Sequence, residues 1–266
     1  MSHLKGKQDY GHQAVAILLS CNGKTLNYDI VLYDKSQSKI AIVQKIAREL
    51  AVAPVISYFL CDSWYTRGKT MDAFLKKGFY TIGALKTNRV LYPCEIPQKI
   101  SEFALYLRKT DAAVSLVTVH SRTYYVYRYA GRLNGIENAV VLITYPKDAF
   151  QVSKALRAFL STNVSLSTQE ILIRYTERWS IEVFFRQAKE KLAFDQYQIR
   201  TSQGIRRFWL LMSLAHFVAC TGGEEIQAFE DGYAFFQNKV VEERLRYFYH
   251  CGECHVPFEK VLTLVA

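Results

Sequence analysis

Two acidic residues and a row of cations and phenols are the groups in this sequence whose types and spacing could do chemistry. The stretch "RYTERWSIEVFFRQAKEKLAFDQYQIR", residues 174–200, has helical periodicity. At 3.6 residues per turn, Tyr175, Arg178, Glu182 and Lys189 fall within about 60° of arc, with Arg186 close beside them. Ile181, Phe184, Phe185, Ala188 and Leu192 fill the adjoining arc, so the spacing predicts one helix packed tightly on a core. Such a row is either a solvated face with paired charges or a site in which Glu182 binds a metal while Arg178 and Lys189 hold an anion. The second acid, Asp62, ends the apolar run of "VISYFLCDSWYT", residues 55–66. An acid where a strand gives out is commonly a turn residue. It also stands where ligands gather in an open α/β sheet. Carboxylates from a strand end and from a packed helix could share hard divalent cations, and two such ions roughly 4 Å apart can cut a phosphodiester.

Those acids need a sheet and a helix to carry them. Residues 14–34 read as two strands around Asn22-Gly23, and residues 38–50 as a helix with Ile40, Ile42, Val43 and Ile46 on its apolar side. The run 55–61 is apolar on both faces and predicts a strand covered on both sides. A short helix over 71–77, ended by Gly78, and the return strand "FYTIGALK" complete a strand–helix–strand unit, which predicts parallel pairing. From about 92 to 146 the chain turns β-rich ("AVSLVTVHS", "TYYVYRYAG", "NAVVLITYP"), which predicts a meander or small sheet inserted into the α/β domain. A strand at "ALRAFLST" precedes the long helix, for which Ser167 and Glu170 supply a capping box. Helices over 206–219 and 240–248 finish the chain. The expected division is 1–91 and 151–222 for the α/β domain, 92–150 for the insertion and 223–266 for a helical tail.

Composition points to the partner. Lys and Arg number 34 against 24 Asp and Glu, a net charge of +10, and the pI is near 9.2. That excess favours a polyanion, most often nucleic acid. No run of about 18 apolar residues occurs, so no membrane span is expected. The opening "MSHLKGKQDYGHQ" lacks the apolar core of a secretory signal, so the expected location is the cytoplasm, with the six cysteines reduced. Cys251, Cys254 and His255 in "CGECH" spell half of a zinc site, but no second ligand pair follows.

Taken together, Tyr175, Arg178, Glu182 and Lys189 in the pattern Y-x2-R-x3-E-x6-K resemble the signature of DDE transposases from bacterial insertion sequences. The "FLST" strand before it and "YQIR" after it fit that likeness. "FLCDSWYT", with "ALKTNR" downstream, is similar to the segment bearing that family's second catalytic Asp. The resemblance spans about residues 11–219. It implies a ribonuclease H-like mixed sheet with flanking helices, a β-rich insertion and a helical C-terminus. It also implies Mg²⁺- or Mn²⁺-dependent nicking and strand transfer at transposon ends, with DNA as the partner; a homodimer on DNA is a further expectation. Asp62 and Glu182 then become the second and third metal-binding carboxylates. Tyr175, Arg178, Arg186 and Lys189 become DNA contacts, with Lys189 helping to place the terminal nucleotides. Lys86, Asn88 and Arg89 are candidates for touching the DNA backbone or for a solvated loop. For His12, Trp64 and Trp179, core packing is a sufficient reading.

One departure accompanies these matches. The family's first catalytic Asp ends a first, central strand, and only about a dozen residues precede the segment "GHQAVAILL" here. Asp9, Asp29 and Asp34 are poor substitutes, so the first central strand and its ligand are expected to be missing. A truncated or split reading frame with reduced or no activity is the consequence, and the alternative is a non-catalytic DNA-binding remnant. A phosphoesterase using Asp62 as nucleophile would leave the row from Tyr175 to Lys189 without a purpose.

Overall fold

The computed structural model describes residues 11–263. Asp9 and the rest of the opening segment, on which the expectation of a missing first strand rests, lie outside the described residues. The chain divides into two compact units, residues 33–179 and residues 1–32 with 180–266.

The first strands form a hairpin, β1 (Gln13–Cys21) and β2 (Lys24–Tyr33). Asn22 and Gly23 both take positive φ at its tip, as the Asn-Gly pair predicted. Helix α1 (Lys39–Glu49) starts at Ser38, whose side chain accepts from the Ala41 amide, and buries Ile42, Val43, Ile46 and Ala47. Strand β3 (Ser57–Cys61), helix α2 (Gly68–Leu75) and strand β4 (Phe79–Leu85) come next. Gly78, at φ +83°, makes the left-handed exit from α2. β3 and β4 pair in parallel, as the strand–helix–strand pattern predicted.

The β-rich segment comprises β5 (Val90–Leu91), β6 (Gln98–Lys99), helix α3 (Ile100–Phe103), β7 (Val114–Val119), β8 (Arg122–Leu133) and β9 (Ile136–Pro146). β10 (Arg157–Ser161) lies between β4 and β9, antiparallel to both. Among the described residues, eight strands thus form one mixed sheet in the order β3-β4-β10-β9-β8-β5-β6, with β7 on β8. The inserted strands continue the sheet of the α/β part. The alternation along β9 shows why: Val141, Ile143 and Tyr145 enter one core, while Val140 and Leu142 enter the core on the opposite face. A strand buried on both faces reads as an unbroken apolar run. Helix α4 (Thr168–Thr176) covers the second face through Ile171 and Leu172. Its capping box forms as expected, with the Glu170 amide donating to Ser167 Oγ at 3.2 Å and the Ser167 amide to Glu170 Oε2 at 2.8 Å.

The long helix expected over 174–200 is interrupted. α4 ends at Thr176, a 3₁₀ turn spans Glu177–Trp179, and α5 covers Ser180–Lys191. Three residues turning 120° each instead of 100° shift the helical phase of the residues beyond them by about 60°. Tyr175, Arg178, Glu182 and Lys189 are therefore not one row on one helix, as their spacing had suggested.

In the terminal unit, α5, α6 (Ser202–Thr221) and α7 (Phe229–Glu253) pack with the hairpin, and α8 (Phe258–Leu262) ends the described chain. Phe184, Ala188 and Met212 form one core with Ala16, Leu18 and Ile30. Leu32, Ile205 and Trp209 form another. α7 is far longer than the expected 240–248: it begins where the Ala228 amide donates to Asp231 Oδ2 at 3.0 Å. Gly232 inside it lets its backbone come so close to α6 that a Cβ there would overlap the Ala219 carbonyl. Among the described residues, no helix is long and apolar enough to cross a membrane. The architecture is a mixed α/β one with a helical C-terminus, consistent with a ribonuclease H-like fold.

Candidate functional site

β3 delivers Asp62 at the carboxyl end of the sheet. Its last residue, Cys61, is buried, and Asp62 is exposed. Asp62 Oδ1 accepts from the Trp64 amide at 2.8 Å, and its carbonyl accepts from the Tyr65 amide at 3.2 Å. Asp62 is thus a turn residue and a rim carboxylate at once, since the turn bond uses one oxygen and fixes the side chain's direction.

Thr66 anchors this turn. Its hydroxyl is buried, 2.9 Å from the Asp62 carbonyl and 2.7 Å from the Ala84 carbonyl on β4. Gly83, which pairs with Cys61 across the sheet, makes room for it. A Cβ at 83 would stand 2.6 Å from Thr66 Oγ1 and 2.9 Å from Cys61 Sγ. Burial pushes the Cys61 thiol up to about 12, against the opposing pull of Thr66 and of the Arg178 charge. Cys61 is therefore a neutral packing group and no nucleophile. Burial, aided by the Asp62 charge, likewise lifts Tyr65 to about 12.

Tyr175 and Arg178 come to the same rim from α4 and the 3₁₀ turn. The Tyr175 ring packs on Phe159, with centroids 4.6 Å apart, and the Arg178 guanidinium lies 5.8 Å from the Tyr175 centroid. Burial raises the Tyr175 phenol, the charge and hydrogen bond of Arg178 oppose that rise, and the Asp62 charge adds to it. At neutral pH Tyr175 is thus a protonated donor beside a guanidinium, within electrostatic reach of Asp62. Arg174 stacks over Tyr58 at 4.5 Å.

A second cationic edge extends from β4. Lys86 Nζ lies 5.6 Å over the Trp64 ring. Arg89 Nη2 donates to the Asn134 carbonyl at 2.9 Å, and burial together with the Arg67 charge lowers its pKa. Trp64 is 51% exposed and Trp179 is 62% exposed. Core packing, which had sufficed for both, is corrected here: each indole stands largely in solvent. His12 is likewise exposed rather than in the core, with Nδ1 3.1 Å from Tyr197 Oη and the rings stacked.

Glu182, Arg186 and Lys189 all project from α5, exposed, while Phe184 and Ala188 face its core. Glu182 is in the helix's first turn, where a negative charge is favoured by the exposed amides. Lys189 Nζ lies 4.0 Å from Asp195 Oδ2. The fold therefore gathers Asp62, Tyr175 and Arg178 in the unit 33–179, and Glu182, Arg186 and Lys189 in the terminal unit.

Thr66, Tyr65 and Arg67 went unread in the sequence. The signal for Thr66 was Gly83, a glycine in the middle of a strand, which often marks a close approach. Among the described residues, no three His, Cys, Asp or Glu side chains gather as a ready-made metal cage. CGECH forms none either.

Comparison with known proteins gives one finding. A family model described as "Transposase DDE domain" matches residues 2–218. No curated protein matches the chain.

Proposed function

Since this chain belongs to the family of transposase DDE domains, we propose that it nicks DNA at the ends of an insertion sequence and joins the freed end to a target. One observation carries the reading: an exposed carboxylate at the sheet rim, Asp62, stands within electrostatic reach of Tyr175, whose ring lies 5.8 Å from the Arg178 guanidinium. Arg178 and Lys189 bind phosphate oxygens, and Arg186 adds to the cationic surface. Tyr175, protonated at neutral pH, donates a further bond. Lys86 and Arg89 extend the grip along the backbone.

Asp62 and Glu182 are the residues that would hold divalent ions. Both offer hard oxygen donors, and Mg²⁺ commonly takes one or two carboxylates and completes its shell with substrate phosphates and water. When bound, such an ion activates a water or a 3′-hydroxyl and stabilises the leaving oxygen. The protein's own part is to grip the strand so that one phosphodiester faces those carboxylates, with two copies of the chain acting on paired DNA ends. Residues 1–91 and 151–222 form the catalytic domain in this reading, 92–150 its insertion and 223–266 its tail.

The purified chain is to be given a labelled duplex bearing an insertion-sequence end, with Mg²⁺ or Mn²⁺. Asp62→Asn and Glu182→Gln should each abolish nicking while leaving salt-sensitive DNA binding in place. Nicking that survives Glu182→Ala would refute the assigned roles. In the alternative reading, the chain binds DNA without cutting it. Binding without nicking by the unaltered chain, in both ions, selects that one.

A further inference from the structure

The end of α7 lies beyond the residues that the family model matches, and it gathers side chains of a different chemistry. His250 and Cys254 are i and i+4 on the helix and so share a face. His250 Nε2 stands 3.7 Å from Cys254 Sγ, and both side chains are exposed. Cys254 is the C-cap of α7. A Schellman motif fixes the chain there, with His255 in the left-handed position at φ +53°. The His255 amide donates to the Gly252 carbonyl and the Val256 amide to that of Cys251, each at 3.0 Å. The pair is therefore set on an ordered helix end.

The separation suits two ligands on one ion. In a tetrahedral site, a thiolate about 2.3 Å from zinc and an imidazole nitrogen about 2.0–2.1 Å from it are about 3.5 Å from each other. Glu253 supplies what such an imidazole needs. Its Oε2 lies 3.7 Å from His250 Nδ1, which favours a proton on that nitrogen and leaves the Nε2 lone pair toward Cys254. The spelling CGECH pairs Cys254 with Cys251, whereas the helix pairs it with His250, the residue just before that spelling. Cys251 is buried and hydrogen-bonded with Tyr247, and His255 serves the cap through its backbone. No third such side chain joins the pair among the described residues.

We propose that His250 and Cys254 are the two protein ligands of a surface site for a zinc-type divalent cation, with Glu253 orienting the imidazole and water filling the other positions. A thiolate with an imidazole suits such borderline ions, whereas Mg²⁺ takes oxygen ligands, so the site is chemically separate from Asp62 and Glu182. Without metal, the Cys254 thiol is only a weak donor to the imidazole. Binding replaces that proton: the ion takes the thiolate, and one proton leaves to solvent. Half the ligands of a structural zinc site give about half its binding free energy, so a dissociation constant of roughly 1–200 µM is expected. The ion clips residue 250 to residue 254 and holds the last turn of α7 against fraying. The inference is independent of any action on DNA.

Titration of the full, reduced chain with Co²⁺, followed by competition with Zn²⁺, tests it. The readout is the thiolate-to-cobalt charge-transfer band, which ions held by carboxylates do not give. The unaltered chain should show that band for one equivalent of Co²⁺, and Zn²⁺ should remove it while Mg²⁺ does not. Cys254→Ser and His250→Ala, both at exposed positions, should each weaken binding roughly tenfold or more with unchanged circular dichroism. Glu253→Gln should weaken it roughly tenfold, the effect of losing an orienting carboxylate. His255→Ala should bind as the unaltered chain does. Cys21 and Cys94 are exposed thiols as well, so a band that survives Cys254→Ser overturns the proposal, as does the absence of any band. A band lost with Cys254 but kept at full affinity in His250→Ala overturns the pairing, and full affinity in Glu253→Gln overturns the orienting role.

Discussion

Thr66→Val removes one hydroxyl and almost no volume, which makes it a clean test of how the Asp62 rim is held. In the structure that hydroxyl is buried, 2.9 Å from the Asp62 carbonyl and 2.7 Å from that of Ala84. Valine leaves those acceptors without this donor, which costs about 1–3 kcal/mol. At about 2–4 °C per kcal/mol, the thermal transition of the unit 33–179 should fall by roughly 2–12 °C. Thr66→Ser keeps the donor and loses a methyl worth about 0.8 kcal/mol, so it should be the milder change despite its greater loss of volume. Circular dichroism melts of the three proteins measure the order directly. In the cleavage assay the valine variant should lose rate while binding DNA nearly as well, since the turn aims a carboxylate and leaves the cations untouched. A valine variant that melts with the unaltered protein, or that is more stable than the serine variant, refutes the anchoring role of the hydroxyl.

Two further expectations concern stability alone. His216 is buried in the terminal unit, and desolvation lowers its pKa from 6.5 to about 4. The unfolded chain then takes up a proton that the folded chain refuses between those values, so stability is full above pH 6.5 and falls by up to about 3 kcal/mol as pH drops to 4. Urea titrations at pH 7 and pH 4.5 should show that loss, and His216→Phe, which cannot titrate, should show a smaller one. Ser167→Ala removes the α4 cap, in which Ser167 Oγ accepts from the Glu170 amide, and should cost about 1 kcal/mol by denaturant titration, whereas Ser167→Asp should cost little.

Much of this fold was legible because local rules and tertiary packing agree. Asn22-Gly23 gave a hairpin, Gly78 ended a helix, and the strand–helix–strand pattern gave parallel pairing. The disagreements come where tertiary packing decides. Nothing in Glu177-Arg178-Trp179 forbids an α-helix, yet a 3₁₀ turn stands there between α4 and α5, which pack on separate cores. The length of α7 was obscured by Gly232, which costs about 1 kcal/mol in an isolated helix but is required by the contact with α6.

The candidate site divides along the same line. Asp62 was readable because an apolar strand must end at a sheet rim, although β3 is only half-buried before Cys61 and the Asp62 carboxylate also has a structural reason to be there, the turn bond from the Trp64 amide. Its support was unreadable: Thr66, Gly83 and Ala84 come together only through the parallel register of β3 on β4. The row from Tyr175 to Lys189 was found for a reason the structure revises. Its even spacing suggested one helix face, yet the 3₁₀ turn breaks that face after Tyr175. What survives is chemistry: a phenol whose pKa burial raises further, with a guanidinium alongside that opposes the rise and an exposed carboxylate within reach of the phenol. Helical periodicity counts residues on one cylinder, whereas a phosphate-gripping surface needs only that donors converge. The 3₁₀ turn meets that need differently, holding Arg178 over Tyr175 at the rim while α5 turns its own charges outward from a separate core.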